Sequence, residues 1–193
     1  ENYPQHIALP RGCIDAVLEL LQDNGITCNL IEERFGGEAI NVAFAGTLRL
    51  DQEVAVSAML HHDTGVLSAP TAFGKTVTAA AMIARRGVST LVLVHRAELL
   101  KQWQERLQTF LGIGKGLIGS IGGGKSKPTG KIDIAVMQSL SRQGEVNSIV
   151  ENYGQVIVDE CHHVGAVSFD AIMKRTKAKF VLGLTATPIR RDG

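Results

Sequence analysis

From Thr47 onward the chain alternates short apolar runs with helical patterns, and this alternation constrains the fold more than any other feature. GVLSA precedes a helix expected at about 75–86, TLVLVH precedes one at about 97–110, and IDIAVM, QVIVDE and FVLGLTA follow. Strands that read as continuous apolar runs, rather than alternating ones, are buried on both faces, which predicts a parallel sheet covered by helices on each side. The expectation is a doubly wound α/β fold. Ligands in such folds sit at the carboxyl ends of the strands, so the residues just after each run carry the chemistry.

Ahead of this region lies a smaller pattern. HIAL is followed by a helical stretch with Ile14, Val17, Leu18 and Leu21 on one face, closed by Asn24-Gly25. Two alternating runs come next, Ile26, Cys28 and Leu30 and then Ile40, Val42 and Phe44, separated by the Phe35-Gly36-Gly37 break. The pattern predicts a β-α-β-β unit over residues 1–46 with a hairpin between the two runs, and a second domain over 47–193.

Composition excludes several classes. With 193 residues and 45% hydrophobic content the chain can bury a core, which rules out intrinsic disorder. No apolar run reaches the roughly 18 residues of a membrane span, and ENYPQHIALP lacks the basic and apolar regions of a secretory signal. A cytoplasmic setting follows, or a nuclear one in a eukaryote. Cys13, Cys28 and Cys161 have no C-x-x-C spacing and read as reduced thiols. The net charge of +1 hides an asymmetry: residues 1–68 hold three basic and ten acidic side chains, and residues 69–193 hold 17 and nine. The basic half suits a polyanionic partner.

Two segments compete as a phosphate-binding loop. Gly119 to Ser126 matches G-x-x-x-x-G-K-[ST] letter for letter, but Pro128 and Gly130 follow and stop the helix whose N–H groups would hold the phosphates. Ala69-Pro-Thr-Ala-Phe-Gly74-Lys75-Thr76 lacks the first Gly, yet a strand leads in and a helix former, TVTAAAMIARR, leads out. The second segment is the expected loop. Backbone amides from Ala72 through Phe73 and Gly74 to Thr76 would cradle a β-phosphate, Lys75 would reach the β/γ oxygens, and the Thr76 hydroxyl would ligate Mg²⁺. After QVIV, the Asp159-Glu160 pair offers two carboxylates with separate tasks: Asp159 to hold Mg²⁺, and Glu160 to polarise an attacking water. Cys161, His162 and His163 are sequence neighbours that cannot all converge on one ion, so they do not read as a zinc cage.

APTAFGKT, VDECHH and GLTATP, in this order, resemble motifs I, II and III of superfamily 2 helicases of the DEAD/DEAH group, over roughly residues 48–193. LRLDQEVAV resembles the adenine-reading segment of the branch that contains the helicase XPB and the motor subunits of type III restriction enzymes. LVLVHRAELLKQW, MQSL and LTATPIRRDG resemble its motifs Ia, Ib and extended III. The resemblance implies a RecA-like P-loop NTPase fold, ATP and Mg²⁺ as ligands, and DNA as partner, with RNA left open. Gln52 would bond the adenine edge and Arg49 would lie against the base. Asp51 stands where the family often has an aromatic residue, which predicts a weaker or differently built adenine grip. His162 would join the catalytic set with Lys75 and Glu160, and with Thr185, Ala186 and Thr187 would couple the γ-phosphate state to domain movement. His95, Arg96, Gln138 and Ser139 would touch nucleic-acid phosphates.

Lys125, Lys127 and Lys131 sit in the rejected Gly-rich segment, suited either to sequence-independent phosphate contacts or to a plain solvated loop. Trp103 lies with Leu99, Leu107 and Phe110 at helical spacing and reads as core rather than as a base-stacking residue. The family places a second RecA-like domain after the first, supplying an arginine finger. The start without Met and the lack of a second α/β run read as a fragment of a longer protein. The alternatives are an RNA helicase motor domain and a non-catalytic nucleotide or nucleic-acid binding module.

Overall fold

A computed structural model describes residues 11–142, 145–163 and 166–187. The chain divides into two compact units, residues 1–33 and residues 34–193. In the first, helix α1 (Ile14–Asp23) forms where the apolar spacing predicts it; Val17, Leu18 and Leu21 are half-buried and Ile14 is exposed. The expected HIAL strand lies outside the described residues.

The second unit opens with a segment without regular structure and then α2 (Leu50–Leu60), β1 (Thr64–Ser68), α3 (Lys75–Arg86), β2 (Thr90–Val94) and α4 (Glu98–Leu111). It continues through β3 (Ile118–Gly122), β4 (Lys125–Lys127), β5 (Ile132–Val136) and α5 (Met137–Leu140). A short pair, β6 (Ser141–Arg142) and β7 (Glu145–Val146), leads to β8 (Gln155–Val158), α6 (Ala166–Arg175) and β9 (Phe180–Thr185). Seven of the strands form one sheet in the order β1-β9-β8-β2-β5-β3-β4, parallel except for β4. All five expected strands are present, and the doubly wound expectation holds. β2, β5 and β8 are buried along their whole length, which is why their sequences show no alternation.

Two expectations need correction. Residues 26–30 and 40–44 form no strand, so there is no hairpin between them and no β-α-β-β unit among the described residues of 1–46. The 46/47 boundary also moves, because residues 34–46 are bound to the second unit. Phe35 donates to Lys177 and accepts from Lys179, Ile40 donates to Gly87, Ser89 donates to Glu38, and Ala45 donates to Phe110, all through backbone groups at 2.6–2.9 Å. The alternation of Ile40, Val42 and Phe44 is nevertheless real, since all three pack against the main core. An extended segment with one apolar face satisfies its backbone on loop ends as well as in a ladder, and periodicity alone does not distinguish the two.

The segment 119–126 is a hairpin. β3 and β4 pair antiparallel with Gly122 opposite Lys125, leaving Gly123-Gly124 as the two-residue turn. No helix follows Lys125, as Pro128 and Gly130 predict. The connection to β5 is held by Asp133, a fully buried carboxylate that accepts from Thr129 N (2.8 Å), Gly130 N (2.7 Å) and the Tyr153 hydroxyl (2.6 Å). Burial and the adjacent Asp133 charge push the Tyr153 hydroxyl strongly upward, so it stays a donor.

Backbone contact between Gly154 and the Gly36-Gly37 pair seals the 34–46 segment against the sheet: a Cβ at Gly154 would overlap Gly36 O and Gly37 Cα. Gly154→Ala is therefore expected to destabilise the second unit by about 1–3 kcal/mol, the usual cost of overpacking, seen as a fall in Tm of several degrees. Gly65→Ala, whose Cβ meets nothing within 4 Å, is the control. A Gly154→Ala protein melting with the control would show that residues 34–46 are not docked as described.

Candidate nucleotide site on the strand rim

Parallel pairing brings the carboxyl ends of β1, β9, β8, β2, β5 and β3 to one rim in that order. At the β1 end, residues Thr71–Phe73 make a 3-10 turn and Gly74 takes φ +85° before α3 starts at Lys75. Gly74 is required twice over, by its left-handed backbone and because a Cβ there would meet Gln52 Nε2 at 2.8 Å. α3 starts here without a side-chain cap, so its first N–H groups have no intrahelical acceptor, the arrangement that binds anions.

The loop is braced from α2. Gln52, 3% exposed, donates Nε2 to the Phe73 carbonyl at 2.6 Å and accepts from Arg49 N at 2.9 Å. One amide N–H and one lone pair of Gln52 then remain. Arg49 also donates to the Phe73 carbonyl, at 2.9 Å, and lies over the Phe73 ring at 5.7 Å. Asp51 holds the other edge of that guanidinium at 3.2 and 3.3 Å, and this hydrogen bond lowers the Asp51 carboxyl below its usual range. Asp51 thus fixes the arginine at the position where the family often has an aromatic ring.

Lys75 is buried and points back over the loop, with Nζ 3.1 Å from the Ala69 carbonyl and 3.8 Å from Glu160 Oε1. Glu160 takes φ +49°, the only positive-φ non-glycine among the described residues. That conformation costs roughly 1–2 kcal/mol for an L-residue. Its Oε2 is buried without a hydrogen bond, 3.3 Å from His162 Nδ1. His162 Nδ1 in turn lies 2.8 Å from the Thr185 hydroxyl, which donates to the Thr187 carbonyl at 2.8 Å and accepts from Thr187 N at 3.1 Å. With the hydroxyl proton spent on that carbonyl, the consistent tautomer carries its proton on Nδ1 and donates it to Thr185. Lys75, Glu160, His162, Thr185 and Thr187 therefore form one continuous chain of contacts; Ala186 stands between the two threonines.

Asp159 follows directly on β8, its backbone N–H bonded to Leu93 O at 2.9 Å. Its carboxyl is raised above the usual range, chiefly by burial, against the opposing hydrogen bond from Trp103 Nε1 at 2.8 Å. Neighbouring Glu160 adds to the rise, while His95 and Lys75 oppose it. Trp103 is 3% exposed and part of the core, as its spacing predicts, but its bond to Asp159 goes beyond that reading. The signal for it is chemical: a buried indole N–H needs an acceptor.

The donor set fits a hard, phosphate-bound cation. Among the described residues no group of three or more His, Cys, Asp or Glu side chains could hold a metal. Mg²⁺ needs no such cage, since one or two carboxylates plus substrate phosphates suffice; Thr76 follows Lys75 in the first turn of α3 and Asp159 follows β8.

The other half of the rim carries the remaining expected residues. His95 is half-buried after β2 and Arg96 is exposed. Gln138 and Ser139 are exposed on α5 after β5. The hairpin turn lies against both loops: a Cβ on Gly122 would be 3.0 Å from Ser139 Oγ, and one on Gly123 would be 3.9 Å from Ala97 Cβ. Lys127 is exposed on β4, while Lys125 occupies the first residue of that strand.

The profile of the family described as "Type III restriction enzyme, res subunit" matches residues 45–190. The DNA 3'-5' translocase XPB2 of Sulfurisphaera tokodaii is 33% identical over 76% of this chain and 32% of its own length. The DNA 3'-5' helicase XPB of Mycobacterium tuberculosis is 32% identical over 76% of this chain and 27% of its own. The chain thus spans about a third or less of these curated relatives. The UvsW helicase of bacteriophage T4 has the same fold, with a TM-score of 0.69 at 18% identity over 93% of this chain and 72% of that one. On the match over residues 45–190, the chain belongs to the type III restriction enzyme res subunit family.

Proposed function

We propose that residues 34–193 are the ATP-binding motor domain of an ATP-dependent DNA helicase or translocase, which couples hydrolysis to movement on nucleic acid. The observation that carries this reading is the contact chain from Lys75 through Glu160 and His162 to Thr185 and Thr187. It joins a phosphate loop to a water-activating carboxylate and then to a third strand end, the wiring a motor needs and a passive binding module does not. The relatives named as DNA translocase and DNA helicase support DNA over RNA as the track.

Each group then has a task. The α3 N-terminus and Lys75 hold the phosphates, with Lys75 kept in place by the Ala69 carbonyl. Arg49 and Gln52 take the base, the guanidinium steadied by Asp51. Thr76 and Asp159 would hold Mg²⁺, which would neutralise developing phosphate charge. The Glu160 carboxylate orients the attacking water and takes its proton. His162 senses Glu160 on one side and Thr185 on the other, so a change in phosphate state reaches β9. A second RecA-like domain would close over the site and supply an arginine finger, worth about 10³ to 10⁵ in rate in related phosphoryl-transfer enzymes.

DNA runs across the β2, β5 and β3 ends, contacting Arg96, Gln138, Ser139 and the hairpin lysines Lys125 and Lys127, with His95 at the boundary with the ATP half. These loops lie along one edge of the sheet and are assigned to backbone phosphates, so binding is expected to be independent of sequence.

Three outcomes test the reading. Lys75→Ala should weaken Mg-ATP binding by roughly 10- to 100-fold, the loss of one charge-assisted contact, while Lys125→Ala leaves it intact; calorimetry showing the reverse would return the nucleotide to the hairpin. Glu160→Gln should keep nucleotide affinity and lower hydrolysis by about 10²–10⁴-fold, measured as phosphate release. DNA affinity should fall steeply with salt, and Arg96→Ala or Lys127→Ala should each reduce the log–log slope by about 1. Salt-insensitive binding with strong base preference would defeat the proposed track.

A further inference from the structure

We infer that Trp103 is a positioning residue for Asp159 and a physical link between the two halves of the rim. The inference rests on the proposed function, because it assigns Trp103 a task only if Asp159 holds the nucleotide's metal ion.

A core position on α4 asks only for apolar volume. Leu100, Leu107 and Leu111 meet that need along the same buried stripe. Trp103 adds a donor. Its Nε1–H donates to Asp159 Oδ2 at 2.8 Å. Without it, a buried carboxylate beside Lys75 could turn toward the ammonium, whose Nζ already lies 3.8 Å from Glu160. With it, Oδ2 is committed to the indole and Oδ1 is left for the ion. Residues that orient metal ligands in this way commonly change metal affinity by 10- to 100-fold when removed.

The placement of α4 gives the bond a second consequence. The helix begins at Glu98, directly after the His95-Arg96-Ala97 loop. Trp103 lies five residues further on, about 7.5 Å along the axis at the standard rise. The hairpin turn also reaches this end of the helix, since a Cβ on Gly123 would be 3.6 Å from Leu100 Cδ1. A displacement of α4 from the nucleic-acid side therefore moves a donor on the Asp159 carboxylate, whose own backbone is fixed to Leu93 of β2.

Trp103 is the only tryptophan in the chain, so its emission reports this bond directly. The 193-residue chain is titrated with Mg²⁺ at saturating ADP. Emission should change with the metal, stay constant when ADP is added with EDTA, and lose its metal response in Asp159→Asn. Trp103→Phe, which keeps a ring in the core, should raise the Mg²⁺ concentration needed for half-maximal tightening of ADP binding by roughly tenfold, while metal-free ADP affinity stays within about twofold. If Trp103→Phe lowers Tm but leaves that Mg²⁺ midpoint unchanged, Trp103 is core filling and the inference is overturned. Wild-type emission that ignores Mg²⁺ while calorimetry shows Mg-ADP binding overturns it as well, whether or not Trp103→Phe folds. A wild-type chain that binds no ADP at all would instead sink the proposed function.

Discussion

Everything at the rim depends on where the last two strands enter the sheet. β8 and β9 insert between β1 and β2, so the parallel ladders set Val158 opposite Gly183 and Leu93, and Thr185 opposite Ser68. Residues far apart in sequence thereby leave the sheet at one level, with spacing set by the distance between neighbouring strands, about 4.8 Å. The phosphate loop, the acidic pair and the threonines can touch only because this register aligns their strand ends. A slip by one residue would turn every side chain of the strand to the other face and separate Lys75 from Glu160.

The site stores cost that the fold has to offset. Glu160 holds a left-handed backbone, its Oε2 lacks a hydrogen bond, and burial raises the neighbouring Asp159. None of these features helps folding. On the proposed function they are the features of a site that nucleotide phosphates and a cation would complete, in keeping with local strain gathering at functional positions. The fully buried β2, β5 and β8 supply the counterweight in apolar burial.

The sequence made the central sheet legible because fully buried strands and the helix after Gly74-Lys75 leave strong local marks. It also separated the two candidate loops, since Pro128 and Gly130 act on the backbone whatever the fold around them. What it hid was tertiary. Residues 34–46 have strand-like alternation, but their partners are loop backbones at Gly87, Phe110 and Lys177, which no local pattern encodes. The β3–β4 hairpin was obscured by its own resemblance to a phosphate loop. Asp51 looked like a lost aromatic contact, and only its geometry with Arg49 shows what it does. Trp103 was legible as volume and hidden as a donor, because helical spacing reports which face is buried and says nothing of the atom an indole N–H will find.

The order of strand ends divides the rim by chemistry. β1, β9 and β8 carry the phosphate loop, the threonines and the carboxylates; β2, β5 and β3 carry Arg96, Gln138, Ser139 and the lysine hairpin. The border runs between β8 and β2, whose backbones are joined by the bond from Asp159 N to Leu93 O. A rigid backbone ladder cannot itself transmit a change across that border, because both strands are locked into the same sheet. Side chains from the covering layer can. α4 starts directly after the His95-Arg96-Ala97 loop and reaches the Asp159 carboxylate through Trp103, so on the proposed division of the rim this contact is a side-chain crossing between its halves, beside the direct influence of His95 on Asp159.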